Sequence, residues 1–242
     1  MAGFKKIAHR GASGKYPENT RLAFRKAIEA GADMIELDCQ VTSDGHVVVF
    51  HDERLSRTAG VKGTVISKTL AQLKKLDVGR WRRTNFAGER ILTLEEALEC
   101  VNGNADLCLE IKTYDHSARG IELKILFIVS HYDYLDRTVI SSFNYDCLAR
   151  VRELAPEASI GILFGSGFKA DPFEAAKRLG ANSVQVQKQI VTADLLSRAW
   201  EQGLDVYVWT VNELRDMRAL ISVGVQGLIS DFPERFRKLR RG

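Results

Sequence analysis

Cysteine is scarce and unpatterned in this sequence. The four cysteines, Cys39, Cys100, Cys108 and Cys147, form no CxxC and no disulfide-rich spacing, which excludes a stapled secreted scaffold and fits reduced thiols in a cytoplasmic protein. Long hydrophobic runs are missing too. The opening MAGFKKIAHRG holds a charged pair but no apolar run of signal-peptide length, so secretion is not expected. Low-complexity tracts and Pro/Gly/Ser linkers are absent. With 45% hydrophobic and 27% charged residues, the composition is that of a globular chain rather than a disordered or membrane-spanning one.

Excess charge of one sign is confined to the tail. The formal net charge is +4, and Arg235, Arg237, Lys238, Arg240 and Arg241, opposed by Glu234 alone, supply it. The nearly neutral body offers no footprint for nucleic acid, and no stable membrane association is expected. The tail reads as a solvated cationic helix end, where positive charge complements the helix dipole.

What the chain does contain is repetition. Short β-branched or apolar runs at 5–9, 34–39, 106–112, 137–141, 159–163, 182–187, 204–209 and 225–229 each precede an amphipathic segment, the alternation expected of βα units. Leu22, Phe24, Ala27 and Ile28 recur at helical spacing, as do Leu195, Leu196, Ala199 and Trp200. Glycines in EAGAD, RLGAN, EQGLD and SVGVQ stand where a helix must stop before the next strand. Eight such units in 242 residues match the roughly 250 typical of a (β/α)8 barrel. The expected fold is therefore α/β, a TIM barrel filling 1–242 as one domain. Residues 44–92 interrupt the pattern. DGHVVVFHDERL reads as a hairpin-like extra strand, and the remainder as an insertion after the second strand that rises from the barrel's C-terminal face and caps the site.

Strand alternation carries the chemistry. In 34–39, Ile35, Leu37 and Cys39 share one face and Met34, Glu36 and Asp38 the other. The apolar face must meet the helices, so Glu36 and Asp38 point into the barrel near the strand's C-terminal end. The same logic in 106–112 turns Glu110 and Lys112 inward. Three converging carboxylates repel one another and require a cation. All-oxygen ligands suit Mg²⁺ or Ca²⁺, with Mn²⁺ as a third choice. Inward salt bridges with Lys112 and Arg10 are the alternative, but one lysine and one arginine neutralise three acids poorly.

His9 and His51 close strands beside these acids. Cleavage of a P–O bond needs one group to activate a nucleophile and another to protonate the leaving oxygen, and histidine can do either near neutrality. Arg10 and Lys112 add positive charge for a phosphate. Phe143 and Trp209 end strands and are candidates for the wall of a glycerol or alcohol pocket, with ordinary core packing an equal alternative for Phe143. FGSGF at 164–168 reads as a turn, and Asn19 or Thr20 as a helix cap. Asp52 falls on the opposite strand face from His51 and is not expected to orient it.

Taken together, HRG and PENT (9–11, 17–20), IELDCQVTSDGHVVVFHD (35–52), LEIK (109–112) and WTVN (209–212) resemble the glycerophosphodiester phosphodiesterases. FAGERILTLEEAL (86–98) and GLISDFPERF (227–236) fit the family's flanks, while Gln226 and Ser230 stand where it more often has Asp and Thr. The resemblance implies hydrolysis of deacylated phospholipids such as glycerophosphocholine or glycerophosphoethanolamine to glycerol 3-phosphate and an alcohol. It implies His9 and His51 as the acid/base pair, with His51 favoured as base. Glu36, Asp38 and Glu110 become the ligands of one divalent cation, Arg10 and Lys112 the phosphate contacts, and a cyclic phosphate the intermediate. Two other readings use the same barrel: a phosphodiesterase of the lysophospholipase D or phosphoinositide-phospholipase type, and a non-catalytic phosphodiester-binding protein. A lipid substrate calls for an exposed apolar ridge, whereas Leu55, Val61, Val65, Ile66, Leu70 and Leu73 look scattered. A binding protein should lack a histidine or a ligand, and this chain lacks neither.

Overall fold

The computed structural model describes residues 4–114 and 120–239. Its strands, in chain order, are β1 (Lys5–His9), β2 (Met34–Val41), β3 (Val47–Val49), β4 (Leu92–Thr93), β5 (Asp106–Ile111), β6 (Thr138–Ser142), β7 (Ser159–Phe164), β8 (Ser183–Gln187), β9 (Asp205–Trp209) and β10 (Gly227–Ser230). Eight of them pair in parallel, and β1 bonds to both β10 and β2. That double pairing closes the sheet into the expected (β/α)8 barrel. The outer helices that follow strands are α1 (Arg21–Ala30), α4 (Leu94–Val101), α5 (Ile121–His131), α6 (Tyr145–Leu154), α7 (Pro172–Leu179), α8 (Ala193–Glu201) and α9 (Leu214–Ser222). Two shorter helices, α2 (Ser56–Ala59) and α3 (Leu70–Leu73), belong to the insertion.

Alternation sorts the strand residues as expected. Ile35, Leu37, Leu107, Leu109 and Ile111 pack outward against the helices, while Ile7, Met34, Cys108, Tyr207 and Ile229 fill the barrel's interior floor. Local chemistry sets the helix ends. Thr20 caps α1 by accepting from the Ala23 N–H at 3.2 Å. Gly31 ends α1 at φ 81°, a left-handed turn that a Cβ disfavours.

β2 runs two residues further than expected, because Cys39–Val41 pair with β3 in antiparallel fashion. The insertion has its own small core of Val48, Phe50, Leu55, Val65, Leu73, Val78 and Ile91. Leu55, Val65 and Leu73, which looked scattered, are thus buried beneath the insertion, and each such burial contributes about 1.5–3 kcal/mol. The cationic tail is solvated at Arg237 and Lys238, and it is also tied to the barrel. Arg237 donates to the Ala30 and Glu29 carbonyls at the end of α1, and Arg235 donates to Asn212 O beside α9. Arg240 and Arg241 lie outside the described residues. Among the described residues no helix is long and apolar enough to cross a membrane.

Candidate active site

Register brings the acids together. His9 pairs with Glu36 across β1 and β2, and Asp38 with Glu110 across β2 and β5. One oxygen from each of Glu36, Asp38 and Glu110 lies within 4.8 Å of the others, and all three residues are buried. Salt bridges are present: Lys112 Nζ stands 2.6 Å from Glu110 and 3.1 Å from Asp38 Oδ1, and Arg10 Nε 3.3 Å from Asp38 Oδ2. They do not satisfy the cluster. Neither Arg10 Nε nor Asp38 Oδ1 is aligned for a hydrogen bond, and both are left without a partner among the described residues.

Burial pushes Glu110 up to about 7. Burial, reinforced by Asp38, drives Glu36 well above the carboxylate range. Asp38 goes the other way: despite burial, Lys112 and Arg10 hold its carboxyl below the ordinary value. A buried cluster in which Glu36 and Glu110 favour their protonated forms and one Asp38 oxygen is left unbonded fits a hard divalent cation in its donor chemistry.

The turn after β1 serves this cluster. Arg10 (φ 52°) and Asn19 (φ 56°) both adopt left-handed backbone, a strain on the order of 1–3 kcal/mol for a non-glycine residue. That conformation directs the Arg10 N–H to Glu36 Oε2 at 2.8 Å. Asn19 donates its side-chain amide to Asp38 Oδ2 at 2.8 Å, so it orients a candidate ligand rather than capping α1. Gly11 is required here, because a Cβ would lie 2.7 Å from the Ala23 backbone.

Each histidine leans on a carboxylate. His9 Nδ1 is 2.6 Å from Asp231 Oδ1, and Asp231 also accepts from Asn212 Nδ2 at 2.7 Å and from the Ser13 hydroxyl at 3.0 Å. Against the upward push of burial, the His9 bond and these donors hold Asp231 at about 2. An ionised Asp231 assigns the proton to Nδ1 and turns Nε2 toward the cleft, 3.9 Å from Glu36 Oε2.

His51 Nδ1 is 2.7 Å from Asp52 Oδ1. This corrects the expectation that Asp52 points away: β3 ends at Val49, and Gln40 Nε2 gathers the carbonyls of Phe50 and Asp52 at 2.7 and 2.9 Å, so strand alternation no longer applies. Burial lowers the His51 pKa, favouring a neutral ring whose Nε2 can accept a proton.

The cleft of about 170 Å³ between these groups is lined by both histidines, Arg10, Lys112, Phe143 and Trp209. Phe143 is 38% exposed, so it walls the cleft rather than packing in the core. It meets Trp209 edge-on at 5.9 Å, and Trp209 Nε1 donates to Gln185 O at 3.0 Å. Gln185, on the cleft floor, has a buried Nε2 with no partner among the described residues. The polar alternation in SVQVQ is the signal that would have found it. FGSGF is a turn closed on Gln187 by the Ser166 N–H and hydroxyl. Ser230 donates to Asn212 Oδ1 at 3.1 Å and so touches the histidine's support only indirectly, while Gln226 bonds Val206 N–H and Gly224 O outside the cleft.

Comparison with known proteins finds relatives over nearly the whole chain. Residues 9–235 match the glycerophosphoryl diester phosphodiesterase family. The chain is 41% identical over 237 residues to a glycerophosphodiester phosphodiesterase of Caldanaerobacter subterraneus subsp. tengcongensis, covering 97% of each. In structure it is similar to an Oleispira antarctica phosphodiesterase solved with the product sn-glycerol-3-phosphate. That similarity has a TM-score of 0.88 at 29% identity and covers 96% of this chain and 94% of that one. A Thermotoga maritima glycerophosphodiester phosphodiesterase superposes with a TM-score of 0.82 at 30% identity, covering 99% and 100%.

Proposed function

The chain belongs to the glycerophosphoryl diester phosphodiesterase family, and on that premise we propose that it hydrolyses small glycerophosphodiesters, such as glycerophosphocholine and glycerophosphoethanolamine, to glycerol 3-phosphate and an alcohol. One observation carries this reading: three buried carboxylates converge within 4.8 Å between two histidines, each bonded through Nδ1 to its own aspartate.

Glu36, Asp38 and Glu110 would hold one divalent cation, Mg²⁺, Ca²⁺ or Mn²⁺. When bound, such an ion supplies Lewis acidity that lowers the pKa of an attacking hydroxyl. His51, kept neutral by burial, takes the proton from the glycerol hydroxyl as it attacks phosphorus. His9, entering the step as an imidazolium whose Nδ1–H is held by Asp231, gives its second proton from Nε2 to the departing alcohol, leaving a cyclic phosphate. Water then opens the ring with the two roles exchanged. Arg10 and Lys112 neutralise charge growing on the phosphoryl oxygens. Phe143 and Trp209 offer an apolar wall to the glycerol carbons.

In this reading residues 1–242 form one catalytic barrel with 44–92 inserted in it. The four free cysteines favour a cytoplasmic location. Leu55, Val65 and Leu73 are turned into the insertion's own core, which favours a water-soluble substrate over a lipid. A panel of glycerophosphodiesters and lysophospholipids, assayed with each cation and with products identified, tests the proposal. Glycerol 3-phosphate release from glycerophosphodiesters supports it; cleavage of lysophospholipids alone refutes it.

A further inference from the structure

Arg57, on α2 of the insertion, donates four hydrogen bonds to two carboxylates. Nε and Nη2 hold the two oxygens of Asp52 at 2.6 and 2.9 Å. Nη1 and Nη2 hold the two oxygens of Glu18 at 2.8 and 2.7 Å. Asp52 is the partner of His51 Nδ1, and Glu18 also accepts from Arg10 Nη1 at 3.0 Å. The links therefore run His51, Asp52, Arg57, Glu18, Arg10. They join the candidate base to the candidate phosphate arm, and the insertion supplies the middle link.

An arginine with 42% of its side chain exposed would ordinarily form a solvated ion pair of little consequence. Three features set this one apart. Each carboxylate is gripped at both oxygens, a geometry that a planar fork satisfies and an ammonium does not. The Trp81 ring lies 5.5 Å from the guanidinium carbon and is itself anchored by its Nε1–H on Val78 O at 2.9 Å. The segment that carries Arg57 is tied down by its buried neighbours Leu55 and Thr58. Tyr114, from the far side, donates to the His51 carbonyl, so the backbone of the histidine is restrained while Arg57 restrains its partner.

We propose that Arg57 is a positioning residue for the reaction: by gripping Asp52 and Glu18 together it fixes the His51 ring and the Arg10 guanidinium relative to each other, and makes a docked insertion a condition of turnover. The proposal rests on the roles given above to His51 and Arg10. Misplacement of reacting groups by about 1 Å lowers rates by about 100-fold, so a single arginine outside the cleft can matter to the chemistry without touching substrate.

The test is steady-state kinetics on glycerophosphocholine with saturating cation for wild type, Arg57→Ala, Arg57→Lys, Asp52→Asn and the Arg57→Ala/Asp52→Asn double variant. Expected for Arg57→Ala is a kcat lowered by about 10–100-fold. Arg57→Lys recovers little, because a point charge does not span two carboxylates. Millimolar guanidinium ion restores part of the Arg57→Ala loss and none of the Asp52→Asn loss, and the double variant is no slower than the slower single one. A kcat for Arg57→Ala within about threefold of wild type overturns the proposal, as do full activity in Arg57→Lys and losses that multiply in the double variant. Should Arg57→Ala not fold, Arg57→Gln takes its place in the same comparison. Full activity in His51→Ala would instead overturn the catalytic reading, whatever Arg57 does.

Discussion

Asp38 and Glu110 stand directly opposite each other in the β2–β5 register, with the Lys112 ammonium 3.1 Å from one and 2.6 Å from the other. Even beside that lysine, burial pushes Glu110 up to about 7 and Glu36 well above the ordinary carboxylate value of 4.5. The metal-free folded protein therefore keeps protons that the unfolded chain releases. Stability from these two groups is full below 4.5 and is lost as pH rises through the folded value, about 7 for Glu110.

A cation that replaces those protons should stabilise the protein more as pH rises. The increase in Tm on adding Mg²⁺ is expected to be small at about pH 5 and large at about pH 8. Scanning calorimetry of chelated and metal-loaded protein at both pH values checks this. The lowered pKa of His51 alters stability in the opposite sense in part of this window, so the loaded-minus-chelated difference is the quantity to read. An equal increase at both pH values would contradict the assignment of the acids.

His51→Ala and His9→Ala should each lower kcat by about 10²–10⁴-fold with little change in Tm, since both side chains border the cleft rather than the core. Asp231→Asn should give a smaller loss, because Asp231 acts by orienting His9. Turnover and thermal melts measured on the same preparations separate a chemical defect from a folding one.

Asn19 fixes Asp38 through a single 2.8 Å hydrogen bond. Asn19→Ala is expected to weaken cation affinity by about 10–100-fold, read by calorimetric titration of the metal. Unchanged affinity would reduce Asn19 to a turn residue.

The barrel and its acids were legible in the sequence for a simple reason. A strand between helices must turn its apolar face outward, which leaves Glu36, Asp38 and Glu110 only the interior. The histidines could be placed at strand ends, but their partners could not. Asp231 lies 222 residues from His9 and beyond the end of β10. Asp52 was misjudged because β3 stops at Val49, and nothing in VVVFHD marks that stop. The insertion's core was invisible for a related reason: helices of four residues are too short to display a period.

Leu55, fully buried in that second core, adjoins α2 and so Arg57. Leu55→Ala should cost about 2–5 kcal/mol in a denaturant titration. It should also reduce turnover at temperatures where the barrel itself stays folded. Full activity in a measurably destabilised variant would detach the insertion from the reaction.

On the proposed reading, turnover depends on the histidine pair and on a cation held by this acid cluster. Phosphorus NMR of purified protein incubated with glycerophosphocholine and Mg²⁺ or Ca²⁺ tests it most directly. Expected is a glycerol 3-phosphate signal that stops growing when EDTA is in excess and resumes when the cation is restored. Undiminished turnover in excess chelator, or no glycerol 3-phosphate with Mg²⁺, Ca²⁺ or Mn²⁺, would contradict it.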